Sequence, residues 1–103
     1  MSTKQLLIAA REIIEKPENW TKETFARTRS GKETFTADAK ACMFCAEGAL
    51  IRAQQTIGGN VESAVLTLEN LVGSALYLSR FNDSHTHQEV LNVFDQAIAN
   101  CSP

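Results

Sequence analysis

"DAKACMFCAEGALIRAQQTI", Asp38 to Ile57, decides how the chain is read. The stretch lacks proline and is rich in alanine, which predicts a helix capped by Asp38 and closed by Gly58-Gly59. Phe44, Cys45, Gly48 and Ala49 then share one face. A glycine in a helix interior costs roughly 1 kcal/mol relative to alanine, so Gly48 predicts another backbone or an aromatic ring crossing closely there.

On the N-terminal side, Ser2 and Gln5 form a capping box, and Leu6, Ala9, Ala10, Ile13 and Ile14 recur at helical spacing until Pro17. Turn residues then bracket two short runs carrying Phe25 and Phe35, with Ser30-Gly31 between them, which fits a small hairpin or an ordered loop. On the C-terminal side, Asn60 caps a third helix reaching Arg80. Its stripe of Val61, Val65, Leu68, Val72, Ala75 and Leu76 is widened by Leu66, Leu71, Tyr77 and Leu78. Apolar nearly all round, this helix is either the central element or half of a self-association surface, bent at Gly73. Thr86 and Glu89 form a second capping box, and Val90, Leu91, Phe94, Ala97 and Ile98 give a last amphipathic helix. The expected fold is mainly α: one domain over residues 1–103, a small bundle of about four helices with a short β-hairpin or loop after the first.

With 103 residues and 44% hydrophobic content, a real core fits in one domain. The apolar runs are interrupted and the N-terminal stretch turns charged, which predicts a soluble, unexported, cytoplasmic protein with no membrane span. Three cysteines, an odd number, fit reduced thiols better than a disulfide framework. Residues 1–60 hold nine Lys/Arg against seven Asp/Glu, whereas residues 61–103 hold only Arg80 against five acids. The third helix, which follows a glycine turn as a recognition helix would, carries no Lys or Arg between Val61 and Ser79, so nucleic acid is not the expected partner. Lys22, Arg27, Arg29 and Lys32 form the basic cluster, diluted by Glu23 and Glu33; it reads as a solvated face first and as a partner-binding surface second.

Four readings compete for the polar residues. Cys42, Cys45, His85 and His87 are the residue types of a Cys2His2 zinc site, but the gap of some forty residues matches no common zinc module and the cysteines sit in a helical pattern. As a redox pair near a helix start, Cys42 and Cys45 lack the βαβ surroundings of thioredoxin-like proteins. A hydrolase-like site would use Cys45 as nucleophile, His87 or His85 as base, and Asn82 or Asp83 as orienter. The plainest reading is structural: Cys45 packs in the core, Asn82, Asp83 and Ser84 make a turn, His85 faces solvent, and His87 bonds Asp83 or a nearby backbone carbonyl. That reading outweighs the catalytic one, and no cofactor is expected.

The segments "WTKETFARTRSG", "FCAEGAL" and "FNDSHTHQEVLNVFDQAI" together resemble a family of small bacterial and phage-associated proteins known only as a domain of unknown function. The resemblance runs from the first helix to Ile98. It rests on Trp20 ahead of an Ala-Arg…Gly hairpin, on Cys45-x-x-Gly48-Ala49-Leu50, on Phe81-Asn82-Asp83, and on Thr86-His87-x-Glu89-Val90. It implies that Cys45, Asn82, Asp83 and His87 belong to the motif while Cys42 and His85 do not, which weakens the four-ligand zinc set. The leading expectation is a non-enzymatic interaction module that binds a protein partner or a second copy through the third helix, its basic hairpin tuning the partner's charge. The second is a Cys45–His87 site acting on an acyl or related electrophile.

Overall fold

The computed structural model describes residues 2–73 and 77–101. Among them are five α-helices and a two-stranded antiparallel sheet: α1 (Thr3–Ile13), β1 (Ala26–Thr28), β2 (Ala41–Phe44), α2 (Ala46–Ile57), α3 (Val61–Val72), α4 (Leu78–Ser84) and α5 (His87–Asn100). A 3-10 turn, Pro17–Asn19, follows α1.

Local signals set most helix ends. Reciprocal capping boxes start α1 at Ser2/Gln5 and α5 at Thr86/Glu89, Asn60 caps α3 through the Ser63 amide, and Gly58, at φ 78°, closes α2. α1 stops at Ile13, ahead of Pro17. Between them the helices bury Leu6, Leu7, Ile14, Leu50, Leu68 and Phe94 completely or nearly so. α3 packs against α1, α2, α4 and α5, which makes it the central helix. Its apolar girdle is thereby accounted for: Ala64 and Leu68 are buried, Val61, Val65, Leu71 and Val72 lie partly against the core, and Leu66 remains exposed.

Three expectations are corrected. The helix expected over 38–57 begins only at Ala46, because residues 41–44 form β2 and pair with β1 in the register Ala26↔Phe44 and Arg27↔Met43. Asp38 caps no helix; it closes a turn, accepting from the Lys40 amide (2.9 Å) and from the Thr34 hydroxyl. The unpaired edge of β1 outcompetes the helix propensity of a few alanines. Second, the chain does reverse at Ser30-Gly31, with Thr28 N–H on the Lys32 carbonyl (2.8 Å) and a bridge between Arg27 and Glu33, yet the strand partner of β1 is β2 rather than the run around Phe35. Third, the long helix to Arg80 ends at Val72 on Gly73 (φ 111°), and a separate α4 starts at Leu78, giving five helices where about four are expected. Ala75 and Leu76 of the expected stripe lie outside the described residues. Asn82, Asp83 and Ser84 are accordingly the last turn of α4, not a free turn.

Gly48 answers its own prediction. A Cβ there would lie 2.0 Å from the Phe25 carbonyl oxygen, so the loop before β1 rests directly on the first turn of α2. The Cys45 amide donates to the same oxygen at 3.3 Å. Two residues earlier, Glu23 is held in the left-handed region (φ 71°), its N–H donating to Asp83 Oδ1 at 2.9 Å.

Candidate functional site: a saturated polar joint beside an open basic groove

Asn82 is the one buried polar residue among those described, with none of its surface exposed. Its Oδ1 accepts from the Trp20 indole N–H (2.7 Å) and from the Ala46 amide at the start of α2 (2.9 Å). Its Nδ2 donates to the Thr21 carbonyl (3.0 Å) and to Asp83 Oδ1 (3.1 Å). Two acceptor sites and two donors are thus all engaged, which is the full capacity of an amide side chain. The joint ties α4, the start of α2 and the segment after the 3-10 turn into one body.

Cys45 stands next to this joint, 3% exposed, as the N-cap of α2, its Sγ accepting from the Gly48 amide at 3.2 Å. Burial, above all, pushes its thiol from the ordinary 9.0 up to about 11, and the nearby charges of Glu47 and Asp83 push the same way; the amide hydrogen bonds at the helix start oppose this and lose. Glu47 is itself raised, by burial first and by Glu69 second. A nucleophilic cysteine needs the reverse setting, a cation or base beside it. Among the described residues no hydrogen bond joins His87 to Cys45: its Nε2–H donates to the Ile14 carbonyl at 2.7 Å, locking the start of α5 to the end of α1, and its ring lies 5.5 Å from that of Trp20. His85, expected in solvent, is half-buried, stacked 3.9 Å from the Phe81 ring with Nδ1 on the Phe81 carbonyl (2.9 Å). Among the described residues no three His, Cys, Asp or Glu side chains gather closely enough to hold a metal ion. Cys42 lies on β2, its thiol toward the Arg27 carbonyl at 3.9 Å, and all three cysteines are free.

A direct consequence concerns thiol chemistry. Cys45 should alkylate with iodoacetamide far more slowly than Cys42 or Cys101 near neutral pH, since a thiol at about 11 supplies on the order of one thiolate in ten thousand there. Because the folded-state value lies above the unfolded one, the protonated thiol favours the fold below pH 9, and that contribution is lost as pH rises from 9 toward about 11. Mass-spectrometric peptide mapping reads the labelling order; Cys45 labelling first would contradict the burial argument.

The basic residues divide. Arg27 is a staple: Nε donates to Thr21 Oγ1 (2.9 Å) and its terminal nitrogens to the Gly31 (3.0 Å) and Lys22 (3.2 Å) carbonyls. Lys22 Nζ sits 5.4 Å above the Trp20 ring. Arg29 and Lys32 remain exposed and, with Lys40, line an open groove of about 740 Å³ that also exposes Thr28, Ser30 and Cys42. Lys40 escapes a reading of the sequence in which it lies inside a helix. Phe25 and Phe35, 46% and 85% exposed, flank the same connecting segment. Between Phe25 and Asp83 a smaller cleft of about 340 Å³ opens over Cys45.

A mainly helical protein with a small antiparallel sheet, braced by a buried amide, is what these contacts define. The chain belongs to the family of unknown function DUF6197, whose family model matches residues 1–100. No curated protein and no solved structure matches it. Among the described residues, no helix is long and apolar enough to cross a membrane.

Proposed function

We propose that this chain is a non-enzymatic protein-interaction module whose contact face is the segment joining α1 to α2, rather than the helix expected from the sequence. The observation that carries this reading is Phe35: a large apolar side chain 85% exposed on a segment held rigid at both sides. Arg52 fixes it from α2, donating to the carbonyls of Thr36 (2.6 Å) and Asp38 (2.9 Å), while Arg27 staples the preceding loop. A preorganised aromatic loses little freedom on binding and suits the anchor position of an interface. The polar motif residues Cys45, Asn82, Asp83 and His87 serve as the brace behind that face. Three free thiols support a reducing, cytoplasmic setting.

The test places a photoreactive benzoyl-phenylalanine at position 35 and, as a control, at exposed Gln96 on α5. The expected result is one discrete covalent adduct from position 35 in host cells and none from position 96. Phe35→Ala should abolish binding of the partner so identified while changing stability by no more than about 0.5 kcal/mol. Equal adducts from both positions, or none, overturn the reading; an adduct of twice the chain mass would make the partner a second copy.

A further inference from the structure

Resting on that reading, we infer that the groove bounded by Arg29, Lys32 and Lys40 takes an acidic segment of the partner protein, an extended stretch carrying Asp or Glu side chains.

The charges of this groove are only partly compensated by its own acids. Arg29 donates to the Glu18 carbonyl (3.2 Å) and to Asn19 Oδ1 (3.3 Å), neutral acceptors that orient the guanidinium without cancelling it. Among the described residues, the ion pairs are those of Arg11 with Glu15 and Asp95, far along the chain from the groove. Of the two acids in the wall, Asp38 is tied down: the Thr34 hydroxyl and then the Lys40 amide hold its carboxyl below the ordinary range, and the charges of Lys40 and Arg52 add to this. Glu33 is the second acid. The balance of Arg29, Lys32 and Lys40 against Glu33 and Asp38 is therefore positive, on a chain whose net charge is −2.

Shape and chemistry agree with this sign. The groove is open to solvent, and the Thr28 and Ser30 hydroxyls, hydrogen-bonded to each other at 2.9 Å, leave one of their two O–H donors for a ligand. An opening of about 740 Å³ has room for several side chains. Complementary charge of this kind sets partner choice and association rate, and weakens as salt screens it. Phe35 beside the groove would take an apolar residue adjoining the acidic run.

The experiment measures fluorescence anisotropy of a labelled, unstructured Glu/Gly peptide against the intact protein, with a Gln/Gly peptide as the uncharged control. Binding of the Glu peptide alone is expected, falling about tenfold or more when salt is raised from about 20 to about 300 mM. Lys32→Glu combined with Lys40→Glu should abolish it, with an unchanged circular dichroism spectrum. Reversal of Lys4 and Lys16, which lie outside the groove, should leave it intact. Equal loss from both pairs of reversals, no binding by the folded wild type, or competition by inorganic phosphate at lower concentration than the peptide would each overturn the assignment. A position-35 adduct that persists while the Glu peptide fails to bind would sink the acidic partner and leave the interaction module standing.

Discussion

Asn82→Ala lowers the unfolding free energy by about 3–5 kcal/mol, summed from one buried and two part-buried groups left without partners at about 1–3 kcal/mol each, less some relaxation. Those groups are the Trp20 indole N–H, the Ala46 amide and the Thr21 carbonyl. Set against a total stability of about 5–15 kcal/mol, this removes most of the stability at the lower end of that range and about a third at the upper end. Truncation also opens a void where no surface is exposed, which adds to the loss. Asn82→Asp is the informative companion. It keeps both acceptors but loses the Nδ2 donors and sets a carboxylate in a buried site beside Asp83, so its defect should deepen as pH rises through the range where that carboxyl ionises. Urea unfolding followed by circular dichroism reads both variants. A loss under about 1 kcal/mol for Asn82→Ala would mean that water replaces the amide and the joint is not sealed.

Gly48→Ala is the second large effect, and its direction runs against local propensity. Alanine is favoured over glycine in a helix by roughly 1 kcal/mol, yet here the change should destabilise by about 3 kcal/mol or more. The atoms in the way are backbone, the Phe25 oxygen at 2.0 Å and carbon at 2.8 Å, so no side chain can swing aside. Relief requires the loop to lift and break the Cys45 N–H to Phe25 carbonyl bond. Gly58→Ala is the comparison: it has a left-handed φ of 78° but nothing within 4 Å of the added methyl, so it should cost about 1–2 kcal/mol. Thermal unfolding of the two variants side by side checks the order, and a Gly48→Ala protein as stable as wild type would mean the loop is not seated on α2.

Features encoded over four or five residues are legible in the sequence. The capping boxes at Ser2 and Thr86, the Asn60 cap and the Gly58 stop each need only their neighbours, and Gly48 announces a close approach because nothing else excuses it in a helix. What stays hidden is non-local. "ACMF" is a strand only because β1, more than a dozen residues away, presents an edge to it, and reading it as helix also conceals Lys40 as a groove residue. Asn82 looks like a turn former because its partners at Trp20, Thr21 and Ala46 cannot be seen from Phe81 or Asp83. The candidate site splits the same way: its residue types are visible in the sequence, while the bonds of Asn82 to Trp20 and of His87 to Ile14 appear only in three dimensions.

The reach of the Asn82 joint also orders events in time. Its bonds to Trp20 and Ala46 span 62 and 36 positions of chain, loops whose closure entropy must be met before either bond gives anything back. The helices that need only their own caps can form early, but the segment between α1 and α2 is tied down at Trp20 only when α4 brings Asn82 to the indole. A nascent chain that has not yet delivered Asn82 would therefore carry Trp20, Thr21 and the start of α2 without the amide that ties them together.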